Sequence, residues 1–486
     1  MDIDYLIVGA GTAGCVLASR LSEDSARQVV LLEAGPEGDE CAGDAEYDWG
    51  LRATVTAGRV DGLARGKVVG GSARVNGMGA VRAPARDYHA WAALGLPAWG
   101  WDRVLESYRR IETDLEYGDQ PHHGGSGPVP ITRRPREQWI APVSALVEAV
   151  QAAGHRYCPG MNAPDASGIG PYPHNRRGTA RMPTSLTHLA PARSRQNLTV
   201  RADLPVERVV VRDGRATGVL AGGEFIAARE VILCAGTPLS AVLLLRSGIG
   251  PAGDLREAGV AVVADLPGVG RNLYDQPGAV IPALPVHGAV PEGAPMTEVI
   301  ARLAAIPGHQ RDDGFYLCPF AGPPPGGTET MITIMVGDLN PASRGTITLT
   351  GPSPGDPPRI DLGYYTAPGD LGRMRAAYRH AWSIAQHEAY ARIVDRFYGV
   401  SDELVASDES LNGLLHAMTF SRLALLGGAA MGPSDDASAV VGEDCRVRGV
   451  DGLRGVDLSI VPVVLRAPTA LDAIMIGEHA ATLITA

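Results

Sequence analysis

The chain opens with a short apolar run, a glycine-rich turn and a helical segment: Asp4-Tyr5-Leu6-Ile7-Val8-Gly9-Ala10-Gly11-Thr12-Ala13-Gly14-Cys15-Val16-Leu17-Ala18-Ser19-Arg20-Leu21. The apolar, β-branched run predicts a buried parallel strand, and the residues after the glycines predict a helix. Glycines let backbone N–H groups approach a pyrophosphate, and the helix N-terminus favours its negative charge. The stretch therefore predicts a nucleotide-binding unit of the Rossmann type.

A second apolar run, residues 28–32, strengthens this prediction because it ends in Glu33. An acidic residue about 20 positions after the glycine turn is where a Rossmann unit bonds the ribose hydroxyls. Further along, residues 66–78 form a second glycine-rich loop, which a nicotinamide enzyme does not need and a long flavin nucleotide does. Strands are also predicted at 230–236 and at 452–459, and Asp457 is placed to meet the ribityl chain or the pyrophosphate.

Several ordered motifs together resemble the glucose-methanol-choline (GMC) oxidoreductases over nearly the whole chain. Besides the N-terminal turn, the matching pieces are Gly-Gly-Ser-x-x-x-Asn-Gly-Met at 70–78, Cys234-Ala235-Gly236, Leu266-Pro267-Gly268-Val269-Gly270-Arg271-Asn272-Leu273-Tyr274-Asp275-Gln276, Ser343-Arg344-Gly345-Thr346-Ile347-Thr348-Leu349 and Asp457-Leu458-Ser459-Ile460-Val461-Pro462. The resemblance implies an α/β fold in which a Rossmann-type FAD-binding domain is interleaved with an α+β substrate domain built on an antiparallel sheet. It also implies an FAD-dependent oxidoreductase, a dehydrogenase or an oxidase, that passes a hydride from a small or mid-sized organic substrate to flavin N5.

The discontinuous motifs predict residues 1–80, 199–275 and 425–486 for the FAD-binding domain and 81–198 and 276–424 for the cap and substrate-binding domain. FAD is expected to be non-covalent, because the second glycine loop has Arg74 and Val75 but no histidine or cysteine to bond the ring. The predicted cofactor-binding residues are Gly9, Gly11, Thr12, Ala13, Gly14, Glu33, Ala34, Val69, Gly71, Ser72, Asn76, Gly77, Met78, Gly79, Val206, Ala235, Gly236, Asp457, Leu458, Pro468 and Thr469.

Composition restricts the partners. The 54 acidic residues outnumber the 43 basic ones among 486, which argues against nucleic acid or an anionic membrane as a partner. No apolar run approaches the ~18 residues of a membrane span, and no basic segment typical of a signal peptide precedes the first strand. Six scattered cysteines predict neither a metal site nor a disulfide framework. We expect a soluble cytoplasmic protein with a small-molecule substrate and an electron acceptor that the sequence leaves open.

The resemblance fails where the family keeps its catalytic histidine. In the family a His stands a few residues before a Met-Gly pair, and a second His or Asn follows some tens of residues later. Alignment on Met431-Gly432 places Ala424 at the first position and Ala467 or Pro468 at the second. None of these side chains accepts a proton, so the active site is predicted to be atypical.

Other residues are therefore candidates for the chemistry. With a two-residue insertion, Arg422 takes the place of the histidine, and Arg466 is its counterpart on the other side; a guanidinium is no base but holds a carboxylate or an oxyanion. Thr469 completes the candidate catalytic set. Alternatively a base comes from elsewhere, and the candidates are His416, Tyr316, Tyr364, Tyr365 and Asp472.

Two other reaction classes stay open. Cys318 is comparable in place to a cysteine of the family's light-driven fatty-acid decarboxylases, although the following stretch 329–334 lacks their arginine. A flavin-dependent lyase, cyclase or decarboxylase is thus one alternative, and a flavoprotein without catalysis is a second.

Overall fold

The computed structural model describes residues 2–38, 47–56, 58–295, 297–303, 314–323 and 327–486. Its strands in chain order are β1 (Tyr5–Val8), β2 (Val29–Leu32), β3 (Leu51–Thr54), β4 (Val60–Leu63), β5 (Glu112–Asp114), β6 (Val129–Ile131), β7 (Gly168–Pro171), β8 (Arg176–Arg177), β9 (Ala180–Arg181), β10 (Leu198–Arg201), β11 (Val206–Arg212), β12 (Arg215–Ala221), β13 (Glu224–Ala227), β14 (Glu230–Leu233), β15 (Ile249–Gly250), β16 (Ala264–Asp265), β17 (Pro277–Pro285), β18 (Val299–Leu303), β19 (Phe315–Gly322), β20 (Met331–Asp338), β21 (Thr346–Thr348), β22 (Arg359–Asp361), β23 (Val394–Phe397), β24 (Phe420–Ser421) and β25 (Leu453–Gly455).

The α-helices in chain order are α1 (Thr12–Leu21), α2 (Ala85–Ala93), α3 (Trp101–Ile111), α4 (Ala141–Ala152), α5 (Ala190–Ala192), α6 (Leu239–Arg246), α7 (Ala252–Glu257), α8 (Asp370–Ala385), α9 (Glu388–Ala391), α10 (Asp402–Ala406), α11 (Asp408–Met418) and α12 (Ala470–Thr485). Short 3₁₀ turns lie at Gly71–Arg74, Pro97–Trp99, Arg136–Gln138 and Leu458–Ile460, and a π-helical turn lies at Ser185–Leu189.

A parallel sheet carries the nucleotide-binding signals. Its strand order is β10-β2-β1-β14-β25, and every neighbouring pair is parallel. Leu6 and Ile7 of the first strand are fully buried, as a strand covered on both faces requires. The predicted strands at 4–8 and 28–32 and the first helix are confirmed, and the strand predicted at 230–236 forms at Glu230–Leu233. The run at 452–459 forms a strand only at Leu453–Gly455, because Asp457 caps the following 3₁₀ turn by accepting a hydrogen bond from the Ser459 amide.

The second large sheet is antiparallel. Its strands run in the order β23-β17-β20-β19-β18-β7, and β24 pairs with the end of β17. Helix α8 packs on β20 and provides buried side chains such as Met374 and Tyr378. The buried apolar residues fall into two clusters, one around each sheet. The predicted fold class is confirmed.

Helices α2 and α3 come from the segment predicted as cap, yet they pack beside the C-terminal helix α12. Tyr88 and Tyr108 both donate hydrogen bonds to the buried Asp472 at the start of that helix. The domain boundaries given above therefore stay a proposal, in which residues 81–111 contact the FAD-binding part closely. Across the described ranges, no helix combines the length and apolar character needed to cross a membrane.

Candidate active site

A cavity of about 710 Å³ runs from the glycine turn after β1 to the face of the antiparallel sheet. Its first end is lined by backbone at the carboxyl ends of the parallel strands, where α/β sheets bind nucleotides. Its far end is lined by side chains of β19, β20 and β24 and of the segment before α12. One end of the cavity is therefore lined mainly by backbone and the other mainly by side chains.

The N-terminal glycines shape the first end through their lack of a side chain. A Cβ on Gly9, whose φ is 103°, would lie 2.5 Å from the Cys234 carbonyl oxygen, and one on Gly14 would lie 2.0 Å from the Gly9 carbonyl oxygen. Gly11 is different, because a Cβ there comes no nearer than 3.8 Å to another group and lines the cavity. Gly9 and Gly14 thus allow the tight turn, whereas Gly11 keeps space beside it open.

Glu33 lies in the cavity wall at the end of β2. Its two carboxylate oxygens accept hydrogen bonds from the amides of Ala10 at 2.9 Å and Gly35 at 3.0 Å. Burial raises the pKa of this carboxyl to about 7, although those amides oppose the shift. The carboxylate keeps acceptor capacity for the hydroxyls of a ribose.

The second glycine loop closes over the first. A Cβ on Gly71 would lie 2.7 Å from the Gly11 Cα, and the Gly70 amide donates to the Ala10 carbonyl at 2.7 Å. Asn76 also lines the cavity, and its Oδ1 accepts hydrogen bonds from the Met78 amide and from Arg181. Both loops therefore meet along one wall.

Asp457 fixes the opposite wall. One carboxylate oxygen accepts from the Gly236 amide at 2.8 Å and the Ser240 hydroxyl at 2.5 Å, and the other accepts from Ser459. A helix N-terminus behind a glycine turn, an acid for ribose and a second acid across an elongated cavity suit the pyrophosphate, the ribose and the ribityl chain of FAD. The residues present therefore fit this cofactor.

Most of the predicted cofactor residues line this cavity: Gly9, Gly11, Thr12, Ala13, Glu33, Ala34, Gly71, Ser72, Asn76, Gly77, Gly79, Val206, Ala235, Gly236, Asp457, Leu458, Pro468 and Thr469. Among the described residues, Gly14, Val69 and Met78 are not part of the wall. Gly14 packs on the Gly9 carbonyl, Val69 is buried in the core, and the Met78 amide is turned to the Asn76 side chain. These three support the loops that line the cavity.

At the far end, Ser421 of β24 lines the cavity beside Ala424. Its hydroxyl donates a hydrogen bond to Oδ2 of Asp275, which is buried behind it. The same oxygen accepts from the Tyr364 hydroxyl at 2.6 Å, and Oδ1 accepts from the amides of Gln276 and Ala424. Burial raises the pKa of Asp275, and the hydrogen bonds from Ser421 and Tyr364 oppose that shift. A hydroxyl backed by a carboxylate is thus available to the cavity.

Arg422, predicted as a candidate, also lines the far end. Its guanidinium carbon lies 3.6 Å from the centre of the Tyr316 ring, and its Nη1 donates to Oε1 of Gln276 at 2.7 Å. Thr469 and Pro468 line the same cavity, so the structure brings three of these predicted residues together.

Arg466 does not join them. Its guanidinium pairs with the buried carboxylate of Asp87, and its amide donates to the same side chain at 2.7 Å. Within the described chain it is not part of the cavity wall. The prediction that it is a second arginine of the site is corrected, since a buried acid across the fold takes its charge.

Most of the other candidate bases lie behind the cavity wall, bonded to or packed against other residues. Tyr364 is buried on Asp275, Tyr365 bonds Thr419 and packs against the His416 ring, and Asp472 is buried among tyrosines with a pKa raised to about 6 by burial. Of the five candidate bases proposed from sequence, Tyr316 alone is among the described residues that line the cavity. None of the described residues in the wall is a histidine.

Cys318 lies on the same strand as Tyr316 but outside the described wall. Its sulfur is 2.7 Å from the Thr297 hydroxyl, and burial raises the pKa of the thiol. It is therefore a buried, neutral thiol beside the site.

Away from the cavity, Glu112, Asp114 and His123 have ligand atoms within 4.8 Å of one another. Arg82 pairs with Glu112 at 2.9 Å, and Arg133 pairs with Asp114 at 2.8 Å. Two arginines against two carboxylates make this an internal ion-pair network.

Sequence reasoning missed several residues of the wall. Arg65, Tyr172, Phe320, Met335 and Ser421 all line it. Only Ser421 carried a signal, because it directly precedes Arg422. Its hydrogen-bond partner Asp275 is 146 positions away in the chain, and no local sequence pattern predicts that contact.

Comparison with known proteins places this geometry among flavoenzymes. The family profile described as GMC oxidoreductase matches residues 3–278 and 341–477. The 5-(hydroxymethyl)furfural oxidase of Methylovorus sp. (strain MP688) is 33% identical, with 98% of each chain covered. The chloroplastic fatty acid photodecarboxylase of Chlamydomonas reinhardtii is 32% identical over 99% of this chain and 90% of its own. The crystal structure of pyridoxine 4-oxidase from Mesorbium loti superposes with a TM-score of 0.90, 28% identity and 99% coverage of both chains.

Proposed function

Because the chain belongs to the GMC oxidoreductase family and is an FAD-dependent oxidoreductase of an organic substrate, we propose that it oxidises an alcohol, with Ser421 and Asp275 removing the hydroxyl proton. The observation that carries the proposal is the hydrogen bond between the cavity-lining Ser421 and the buried Asp275. The names of the furfural oxidase and the pyridoxine 4-oxidase support an alcohol as the substrate class.

The proton path follows from the direction of the hydrogen bonds. Ser421 donates to Asp275 and accepts from the Leu423 amide at 3.0 Å, so one lone pair of its oxygen remains for a substrate hydroxyl. As the substrate O–H bond breaks, its proton passes to the Ser421 oxygen, and the serine proton passes to Oδ2 of Asp275. FAD, when bound, supplies the two-electron oxidant that takes the hydrogen from the substrate carbon.

The surroundings of Asp275 keep it ready to accept that proton. Burial raises its pKa and makes the carboxylate a stronger base, while Arg65 contributes a nearby positive charge that favours the ionised form. Tyr364 and two backbone amides fix the carboxylate in place. A positioned acid–base group contributes about 10²–10⁴-fold to a rate.

FAD is held without a covalent bond in this proposal. Residues 70–78 contain no cysteine or histidine that could bond the flavin ring. The cofactor-binding residues given above remain the proposed set, and acid treatment is expected to release free FAD.

An anaerobic screen of alcohols, followed through the flavin absorbance band, tests the reaction class. Net oxidation leaves the band bleached, whereas a lyase or decarboxylase turns over with the band intact, and a non-catalytic flavoprotein does neither. Hydroxy acids, aryl alcohols and choline make a suitable first panel. We expect bleaching by at least one alcohol; product formation with the band unchanged would contradict the proposal.

A further inference from the structure

Resting on the proposed alcohol oxidation, we infer that Arg422 binds a carboxylate of the substrate, so that the substrate is a hydroxy acid. Arg422 directly follows Ser421, the residue proposed to receive the proton, and both line the cavity. Its guanidinium lies across the sheet from the serine, over the Tyr316 ring. A hydroxy acid whose carboxylate is bound there would have its other end in the same cavity as the serine.

The Arg422 side chain packs against the face of three adjacent strands. Gly278 of β17 is paired with Gly337 of β20, and Gly337 is paired with Tyr316 of β19. A Cβ on Gly278 would lie 2.8 Å from Cγ of Arg422, and one on Gly337 would lie 2.8 Å from Cδ and 3.1 Å from Nη1. The side chain therefore crosses two glycine positions and ends on the Tyr316 ring. Neither glycine has a positive φ; the arginine stem excludes a side chain at Gly337, and the stem together with the Phe420 ring, 2.9 Å from a Cβ, excludes one at Gly278.

A relay of hydrogen bonds sets the orientation of the guanidinium. The amide nitrogen of Gln276 donates to the carbonyls of Leu465 at 2.9 Å and Ala467 at 3.1 Å. Its oxygen is thereby turned to Arg422 and accepts from Nη1. One side of the fork is thus occupied by a neutral acceptor, and the remaining donors are left for another group.

Within the described ranges, no acidic side chain balances the charge of Arg422. Among the described residues no carboxylate forms an ion pair with it, and its hydrogen-bond partners are the neutral Gln276 side chain and, through its own amide, the Gln276 carbonyl. Arg466, by contrast, has Asp87. A fixed, uncompensated guanidinium in a concave, partly apolar wall is suited to a carboxylate, which accepts from its planar fork.

Malonate is the probe of choice because it has no hydroxyl to oxidise, so binding is measured without turnover. Isothermal titration of the FAD-loaded enzyme, together with the perturbation of the flavin spectrum, is expected to show saturable binding of malonate and weak binding of malonamide. Arg422→Lys keeps the charge and loses the fork, and is expected to weaken malonate binding roughly 10-fold; Arg422→Met is expected to weaken it roughly 100-fold.

Arg344 offers a matched control. Its guanidinium carbon also lies 3.6 Å from a tyrosine ring, that of Tyr274, but it lies outside the described cavity wall. Arg344→Lys is expected to leave malonate binding unchanged. Gly337→Ala, which retains Arg422 but pushes its stem aside, should behave like Arg422→Lys.

Unchanged malonate affinity in Arg422→Met with normal FAD content, equal affinity for malonamide, or no saturable binding to the wild type would each overturn the inference. The proposed function is judged separately by bleaching. If neutral alcohols bleach the flavin but substitution of Arg422 leaves malonate affinity unchanged, the proposed function stands and the carboxylate site is wrong. If malonate binding depends on Arg422 but no alcohol bleaches the flavin, the carboxylate site stands and the proposed function is wrong.

Discussion

The nucleotide end and the substrate end of the cavity differ in whether backbone or side chains form the wall. At the nucleotide end the wall is mostly backbone, held by glycines that contact one another, and two carboxylates, Glu33 and Asp457, are fixed in it by hydrogen bonds. At the substrate end the wall is made of side chains, Tyr316, Ser421, Arg422 and Thr469, that come from separate parts of the chain. Backbone geometry can be shared by many proteins of one fold, whereas such side chains are free to change with the substrate.

The largest effect is expected from filling the nucleotide end. Gly11→Leu places a side chain in the open space beside the turn, where the FAD pyrophosphate would lie, and purified protein should be colourless. Gly413→Leu in helix α11 is the control, because a Cβ there meets nothing within 4 Å and the residue lies away from the cavity. FAD content and the thermal midpoint of both variants provide the measurement. A yellow Gly11→Leu protein would show that FAD does not bind along this turn.

A smaller effect is expected at the carboxylate of the same end. Glu33→Gln should weaken FAD binding by about 1–3 kcal/mol, the range for a hydrogen bond to a charged group. The apoprotein pKa of about 7 is raised by burial, so below that pH the carboxyl must lose a proton before it accepts from the ribose hydroxyls. FAD affinity of the wild type should therefore fall as the pH drops below about 7.

In Glu33→Gln that pH dependence should be absent. The exposed Glu37, which pairs with Arg193, provides the control substitution Glu37→Gln. Titration of apoprotein with FAD at several pH values gives the measurement, and a flat profile in the wild type would argue against ribose recognition by Glu33.

The smallest effect is expected from restoring the family's histidine. Ala424→His should give at most weak additional oxidation of neutral alcohols such as benzyl alcohol, because a new base without supporting contacts is rarely positioned. Choline should remain a poor substrate, since its cation meets the positive charge of Arg422. Steady-state rates with both alcohols test this. Brisk oxidation of choline by the wild type would show that the far end is organised differently.

The glycine turn and Glu33 could be proposed as cofactor-binding residues from the sequence because they lie close together along the chain. The glycine turn and Glu33 follow consecutive strands, so one βαβ pattern places them all. The substrate end depended on contacts between distant positions. Arg422 was found by its nearness to Ala424, but Arg466 was misplaced because its partner, Asp87, is 379 positions away. Asp275 was visible only as part of a motif, and nothing local linked it to Ser421.

Ser421 and Asp275 are proposed to receive the substrate proton, and the pH dependence of anaerobic flavin bleaching measures whether they do. The rate should rise with pH through the raised pKa of Asp275 and then level, because only the ionised carboxylate accepts the proton. Tyr364→Phe removes a donor that lowers this pKa and should move the profile to higher pH. Asp275→Asn should lower the plateau about 10²–10⁴-fold with FAD content unchanged. A fully FAD-loaded Asp275→Asn enzyme with the wild-type rate and profile would contradict the account.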